Sequence, residues 1–320
     1  MEKVIAYIFF AVVLSSCWKE EIPINANALD GDNSILIRMG SDYGNQIWYD
    51  IDNREVIQQN RKDIWDLGFI LEDGNVYVRL NTANAATALA TNASELIELT
   101  TNPSGAIFRT DHPNGSLDSL AIGLISFPSN VYIINRGFST TGESLGNWKV
   151  RFISYESNKI TFEMARMNGA NLRTVSLDIT TSQSWNCYSI ENNQKVDWEP
   201  NDRWHFCFTQ YSHVFYEPYQ PYLVTGVLSN PATTQVAEIN DKSFDEIDLI
   251  LATQLSYSSN ADIIGYDWKF YDFDIQLFTM EEEMLFVVNT ISGEYYKLRF
   301  TDFYDEEGQR GAPKFDLVAL

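Results

Sequence analysis

Side chains that could catalyse a reaction or hold a metal are few and scattered in this sequence. The chain has three histidines and three cysteines among 320 residues. No GxSxG, HExxH, P-loop or CxxC pattern brings such side chains together at a spacing that chemistry requires. Acidic runs at 241–248 and 305–308 do not follow the spacing of an EF-hand loop, and no pair of carboxylates is singled out for glycoside hydrolysis. We therefore predict that the chain is not an enzyme.

One cysteine stands where covalent attachment of lipid is expected. Cys17 follows Leu14-Ser15-Ser16 and the apolar run 4–14, which is shorter than the roughly 20 residues needed to cross a bilayer. The arrangement resembles a bacterial lipobox. It predicts a signal peptide over residues 1–16, lipid on Cys17 and membrane contact through that anchor alone. The alternative is a plain signal peptide with an incidental cysteine.

The residues after Cys17 predict where the protein is displayed. Residues 17–33 are polar and acidic and are predicted to be a linker. Within them, Lys19-Glu20-Glu21 resembles the surface-export signal of Bacteroidota lipoproteins. We therefore predict an outer-membrane lipoprotein exposed at the cell surface.

Charge limits the partners of the chain. With 44 acidic and 22 basic residues, the formal net charge is −22, which repels nucleic-acid backbones and anionic lipid headgroups. Apolar residues make up 45% of the chain, enough for a substantial core. Cys187 and Cys207 remain after lipidation, and either a disulfide or two buried thiols would suit their strand-like surroundings.

The chain carries an internal repeat whose blocks keep their order. Four blocks recur, and the first-half and second-half copies are 47–51 and 184–188, 65–69 and 204–208, 131–135 and 285–289, and 148–152 and 296–300. Conserved block order with diverged middles indicates duplication. We predict two tandem domains, at residues 34–178 and 179–320.

Most blocks alternate apolar and polar residues with the period of a β-strand. Segments 159–164 and 296–300 each place one face on a core and the other in water. A capping box at Ser243-Phe244-Asp245-Glu246 predicts a short helix, and residues 84–99 fit either a second helix or a loop. The fold class is therefore mainly β, with antiparallel sheets and one or two short helices.

Tryptophans are the remaining candidates for ligand contact. Six of them, Trp48, Trp148, Trp185, Trp198, Trp204 and Trp268, could form a platform on which sugars stack. Packing in the core or between strands is the other use of such side chains.

The sequence resembles the HmuY family of haem-binding lipoproteins of Bacteroidota. The most specific part is the C-terminal stretch: Leu285-Phe286-Val287-Val288, a turn at Gly293, then Tyr296-Lys297-Leu298-Arg299-Phe300 and the acidic turn 305–308. Trp65-Asp66-Leu67-Gly68-Phe69 looks like the WDxAF segment of the family. The resemblance covers most of residues 179–320 and, more faintly, 35–178, so we expect two HmuY-like β domains.

The resemblance implies a cleft in which haem is held between axial His or Met side chains. In this sequence Gln276 stands where many members carry a histidine, and Met280 and Met284 lie nearby. His112 lies in the loop 109–115, in the variable middle of the first repeat. We expect haem b to bind with ligands drawn from His112, Met280 and Met284. His205 and His213 are expected to be hydrogen-bonded strand histidines.

The resemblance implies capture rather than catalysis. The predicted function is a surface lipoprotein that captures haem and passes it to an outer-membrane uptake system, with a TonB-dependent receptor as partner. The alternative is a non-catalytic surface binding or adhesion module that has lost haem ligation and takes another hydrophobic ligand, a glycan or a protein.

Overall fold

The structure is a computed structural model that describes residues 33–179, 185–200 and 203–320. The predicted signal peptide, the predicted lipid site Cys17 and the export motif lie outside the described residues. Within the described residues no helix is long and apolar enough to cross a membrane.

Strands dominate the described chain. In chain order they are β1 (Ser34–Leu36), β2 (Asn45–Asp50), β3 (Glu55–Arg61), β4 (Leu67–Glu72), β5 (Asn75–Leu80), β6 (Thr87–Ala90), β7 (Gly123–Leu124), β8 (Tyr132–Asn135), β9 (Asn147–Glu156), β10 (Lys159–Arg166), β11 (Arg173–Asp178), β12 (Asn186–Ser189), β13 (Gln194–Val196), β14 (Phe206–Tyr216), β15 (Tyr219–Ser229), β16 (Thr234–Ile239), β17 (Lys269–Asp272), β18 (Leu277–Met280), β19 (Leu285–Thr290), β20 (Tyr295–Tyr304) and β21 (Arg310–Ala319).

Period-two alternation explains these strands. In β10 the side chains of Ile160, Phe162 and Met164 are fully buried, while those between them face outward. All strand pairs are antiparallel, including the 11-residue strands β14 and β15. The predicted mainly β, antiparallel class is confirmed.

Helices are short. The capping box lies at the start of a 3-10 turn, Phe244–Glu246, where the Glu246 carboxylate accepts bonds from the Ser243 N–H and hydroxyl. Helix α1, Leu249–Ala252, follows it. Residues 84–99 form no α-helix, because β6 pairs with β8 there. The other 3-10 turns are Thr82–Asn84, Leu96–Glu98 and Leu117–Ser119.

The strands form four larger sheets and one hairpin. The sheet orders are β1-β21-β20-β19-β16, β11-β10-β9-β8-β6, β13-β12-β4-β5-β7, β15-β14-β2-β3 and β17-β18. Three of the four larger sheets join strands from distant parts of the chain: β2 pairs with β14, β12 with β4, and β1 with β21. The N-terminal hairpin of each repeat thus joins the strands that follow the hairpin of the other repeat.

Equivalent hydrogen bonds recur in the two repeats. The N–H of Asp66 donates to the Tyr188 carbonyl at 2.9 Å, and the N–H of His205, in the matching position, donates to the Tyr49 carbonyl at 2.9 Å. Likewise Lys149 and Lys297 each donate to two carbonyl oxygens of a neighbouring 3-10 segment. Strand pairing aligns 47–51 with 186–190, two residues later than the match to 184–188 made from the sequence, whereas the other three blocks keep their predicted register.

Two hydrophobic cores form two lobes. One core contains buried residues from 67–190 only, and the other contains residues from 35–51 and 206–317. The first lobe is thus continuous in sequence, whereas the second is made from both ends of the chain. The division into domains at residues 34–178 and 179–320 stays a prediction, and the cores divide the chain at other points.

Candidate functional site

A cleft lined by five tryptophans lies where the two lobes meet. Its volume is about 370 Å³, within the range of small-molecule sites. The tryptophans are Trp48, Trp65, Trp185, Trp198 and Trp204. Trp48 comes from the first repeat and contacts Trp198 and Trp204 of the second edge-on, with ring centroids 4.8 and 4.6 Å apart. Both repeats therefore contribute to one aromatic wall.

Arg79 brings a positive charge into this aromatic wall. Its guanidinium carbon lies 5.3, 4.8 and 5.0 Å from the ring centroids of Trp65, Trp185 and Trp198. Arg79 lies in β5, on the strand face that the cleft meets. Such cation–π contacts hold a cation without neutralising it, so Arg79 can still attract an anionic group of a ligand.

Two of the indole N–H groups in the wall are already bonded and two are not. Trp198 donates to Gln46 Oε1 at 2.7 Å and Trp204 donates to Glu199 Oε1 at 3.1 Å. The buried Nε1 atoms of Trp48 and Trp65 have no partner among the described residues. Buried donors are usually paired, and these two indole nitrogens are enclosed by neighbouring side chains rather than presented to the cleft.

The thiol of Cys207 also lines the cleft. Burial raises its pKa well above the ordinary value, so Cys207 stays a neutral thiol rather than a thiolate ligand. Cys187 is likewise buried, and both thiols are free. Neither cysteine forms a disulfide.

His112 lies at the rim of the cleft. Its loop is fixed from both sides, because the Asp111 carboxylate accepts the N–H groups of Leu80 and Ala121, each at 2.7 Å. The imidazole is stacked on Tyr216, at the tip of the β14–β15 hairpin, with ring centroids 6.2 Å apart. The structure therefore holds the side chain of His112 beside the aromatic wall.

The position of the proton on the neutral ring of His112 affects how its imidazole could bind iron. Its Nδ1 accepts the Asn114 N–H at 3.1 Å, so the neutral ring carries its proton on Nε2. Coordination through Nε2 requires the other tautomer and breaks this bond, which costs on the order of 1 kcal/mol.

Met280 and Met284 lie elsewhere. Both pack against the core of the second lobe and do not line the cleft. Among the described residues that line the cleft, His112 is the one histidine or methionine. The structure thus places one of the three predicted ligands at the cleft and the other two away from it, and all three roles stay predictions.

The other histidines are in different surroundings. His213, in β14, contacts Phe215 and Tyr266 with ring centroids 4.9 and 5.2 Å apart. His205 is fully buried between Asp50 and Asp52. Neither residue lines the cleft.

Sequence reasoning found part of this site. Four of the five cleft tryptophans are among the six candidates from the sequence. Packing, the use that the sequence favours, is confirmed: Trp48, Trp198 and Trp204 are buried in one cluster with Trp185 packed against it, and Trp148 and Trp268 lie in the two lobe cores. The sequence does not single out Arg79, because alternation along β5 predicts the face of the strand on which its side chain lies and not the aromatic rings that it contacts.

Comparison with known proteins identifies the family. A model of the HmuY protein family matches residues 42–317, so the chain belongs to the HmuY family. This single match runs across both repeats. No curated protein matches the chain.

Several solved structures are similar to this chain at low identity. PinO from Porphyromonas gingivitis is 10% identical, with 90% of this chain and 96% of that chain covered and a TM-score of 0.26. The HmuY analogue of Tannerella forsythia is 11% identical, with 89% and 94% covered and a TM-score of 0.25. A Bacteroides vulgatus protein, provisionally described as HmuY-like and haem-binding, is 14% identical, with 53% and 91% covered and a TM-score of 0.23.

Proposed function

We propose that this protein is a non-catalytic haem-binding lipoprotein of the cell surface and that haem enters the tryptophan-lined cleft. The observation that carries the proposal is the cleft itself, about 370 Å³ in volume, with five tryptophans and Arg79 in its wall. Membership of the protein in the HmuY family supports haem as the ligand class. Lipid on Cys17 would tether the protein to the outer membrane.

The residues of the cleft fit a porphyrin in three respects. Indole rings suit its flat apolar faces, since aromatic stacking and burial both favour such contacts. Arg79 suits its carboxylates, since its guanidinium lies among the tryptophans of the wall. Haem itself supplies an iron centre that accepts one or two axial ligands.

Of the three predicted axial ligands, His112 is the one that lines the cleft. Because no other histidine or methionine lies among the described cleft-lining residues, we expect one protein ligand to the iron rather than two. A single imidazole would leave the iron able to take a water molecule. A haem spectrum of the five-coordinate or aquo type would therefore fit this cleft, whereas a bis-imidazole spectrum would not.

Haemin titration tests the proposal. Added to the purified full chain, haemin should give a saturable Soret band that differs from that of free haemin. His112→Ala should weaken binding by about tenfold or more, equivalent to roughly 1.4 kcal/mol, and should change the band. His213→Ala is the matched control, since that histidine lies in β14 outside the cleft.

The outcomes of the titration distinguish a haem site from a binding module without haem ligation. If no saturable band forms, haem binding is ruled out. If metal-free protoporphyrin or a glycan still quenches tryptophan fluorescence in that case, the alternative of a binding module without haem ligation gains support. If His213→Ala weakens haemin binding as much as His112→Ala, the proposed ligand is wrong.

The fate of captured haem is a separate part of the proposal. We propose that the protein passes haem to an outer-membrane uptake system with a TonB-dependent receptor. Growth on haem as the sole iron source should then depend on the gene. Equal growth without it would contradict this transfer.

A further inference from the structure

A buried histidine and two carboxylates meet outside the cleft, in the second lobe. Asp50, Asp52 and His205 each offer one ligand atom, and these atoms lie within 4.8 Å of one another. His205 is fully buried, and Asp50 and Asp52 are mostly buried. The carboxylates come from the first repeat and the imidazole from the second. They lie together because β2 pairs with β14.

Neither neutral tautomer of His205 satisfies all of its neighbours. Nδ1 lies 3.1 Å from Asp50 Oδ1 and accepts the Ile51 N–H at 3.2 Å, while Nε2 has no hydrogen-bond partner and lies 3.6 Å from Asp52 Oδ2. With the proton on Nε2, the bond from Ile51 is kept, but Nδ1 lies against a carboxylate oxygen and the Nε2–H has no acceptor within hydrogen-bond distance. With the proton on Nδ1, the ring can donate to Asp50, but the Ile51 N–H loses its acceptor and the lone pair of Nε2 faces Asp52.

A cation at Nε2 removes the conflict at that nitrogen. The proton then lies on Nδ1 and is donated to Asp50, at the cost of the bond from the Ile51 N–H, while Nε2 and Asp52 share the cation. Metal-binding histidines commonly donate their second ring N–H to a carboxylate in this way.

Two hydroxyl groups hold the Asp52 carboxylate in place beside His205. Asp52 Oδ2 accepts the Ser292 hydroxyl at 2.6 Å, and Oδ1 accepts the Tyr296 hydroxyl at 3.1 Å.

The equivalent place in the first lobe contains a built-in cation. There Asp66 takes the position of His205, and Arg136 binds it with Nε 2.7 Å from Oδ1. Arg136 also reaches Glu191, which corresponds to Asp52, at 3.1 Å. Strand pairing aligns Arg136 with Thr290 in the second lobe, so a neutral side chain stands where the first lobe has a guanidinium.

We propose that Asp52 and His205 bind a divalent transition-metal ion of the Zn²⁺ type, with Asp50 orienting the imidazole. One imidazole with carboxylates is a ligand set of this metal class, whereas Ca²⁺ takes oxygen ligands. A cavity of about 480 Å³ lies on the solvent side of the two carboxylates and is lined by Asp50, Asp52, Asn53, Glu55, Ile57 and Arg203, with His205 buried behind them.

Arg203 competes for the same place. Its Nη1 lies 3.6 Å from Asp52 Oδ2, and its side chain is half exposed. A half-exposed guanidinium can turn away into solvent, so metal binding displaces it at little cost. Removal of Arg203 should therefore strengthen metal binding, an effect that a cluster without a metal site would not show.

Titration of the full chain with Zn²⁺, followed by calorimetry, tests the proposal. We expect one ion per chain, a higher melting temperature with Zn²⁺ and no such response to Ca²⁺. Asp52→Asn should weaken Zn²⁺ binding at least about tenfold, and Arg203→Ala should strengthen it. Glu191→Gln, which removes the same charge at the equivalent position of the first lobe, is the matched control and should leave Zn²⁺ binding unchanged.

Three results would overturn the site. One is a stoichiometry below one ion per chain. Another is unchanged affinity in both Asp52→Asn and Arg203→Ala. The last is that Glu191→Gln weakens Zn²⁺ binding as much as Asp52→Asn does. Cobalt(II) absorption provides a second readout, because tight Co²⁺ binding should give ligand-field bands that Asp52→Asn removes from protein with an unchanged melting temperature in the absence of metal.

Discussion

Removal of Arg136 should destabilise the first lobe strongly. Its side chain and that of Asp66 are 3% and 4% exposed, and Asp66 also accepts the Ile190 N–H at 2.6 Å. Arg136→Met leaves the Asp66 carboxylate buried without its counter-charge. Breaking a buried pair from one side costs about 3–5 kcal/mol. For a chain of this size that corresponds to a fall in melting temperature on the order of 10 °C.

Urea unfolding at neutral pH measures this loss. The matched control is Arg151→Met, which breaks the pair of Arg151 with Glu95, whose side chain is 55% exposed. A pair with one exposed partner is worth about 1 kcal/mol or less. The double variant Asp66→Asn/Arg136→Met should be more stable than Arg136→Met alone, because it no longer buries an unpaired charge.

Acid should reduce the deficit of Arg136→Met. Burial raises the pKa of Asp66 even with Arg136 beside it, and loss of Arg136 raises the pKa further. The folded variant then binds a proton that the unfolded chain, with an aspartate pKa of about 3.9, does not hold at the same pH. Its deficit should therefore shrink as the pH falls from 7 towards 5. If Arg136→Met costs no more than Arg151→Met, or if the double variant is less stable than Arg136→Met, this reasoning is wrong.

Three further outcomes follow from other buried groups. Burial raises the pKa of Asp111 to about 6, so the free energy of unfolding should fall by roughly 2 kcal/mol between pH 4 and pH 7 through this group alone. Asp111→Asn should remove that part of the pH dependence, and an unchanged slope in urea titrations would refute the assignment. A Cβ on Gly137 would lie 1.8 Å from a backbone oxygen, whereas one on Gly142 meets nothing within 4 Å. Because both have positive φ, Gly137→Ala should lower the melting temperature far more than Gly142→Ala, and equal shifts would contradict the packing. Cys187 and Cys207 are buried with raised pKa values, so both should resist iodoacetamide until the chain unfolds, as mapped by mass spectrometry.

Local patterns in the sequence were sufficient for the strand content. Alternation at 159–164 and 296–300 predicted strands that became β10 and β20. The capping box at Ser243 also formed as predicted, because its bonds join residues three apart. Such features depend on neighbours in the chain, which a single sequence displays directly.

Strand partners could not be obtained in the same way. Alternation along β2 fixes which side chains face a core, but nothing in it specifies that Tyr49 lies opposite Phe206. The duplication suggested that each repeat closes on itself. In the structure the hairpin of β2 and β3 instead joins β14, and the hairpin of β12 and β13 joins β4.

The candidate site was only partly predictable for a related reason. Pro113 and Gly115 marked the loop of His112, and the loop does reach the cleft. The aromatic wall has no sequence period, since Trp65 and Trp198 lie far apart in the chain and their ring centroids are 4.9 Å apart. Their contact depends on the exchange of hairpins, so it cannot be predicted from the sequence unless that exchange is known.

The exchanged hairpins also determine the order in which the molecule can be completed during synthesis. The first lobe has all its strands between β4 and β13, so it can close while later residues are still emerging. The second lobe must wait, because β1 has no partner until β21, the last strand of the chain, arrives. Until then the edges of β1 and β2 are open to unwanted pairing. The cleft is lined by residues of both repeats, the last of them Ala261, so it can form only after β14 has joined β2. Loss of β21 would leave β1 without its partner strand.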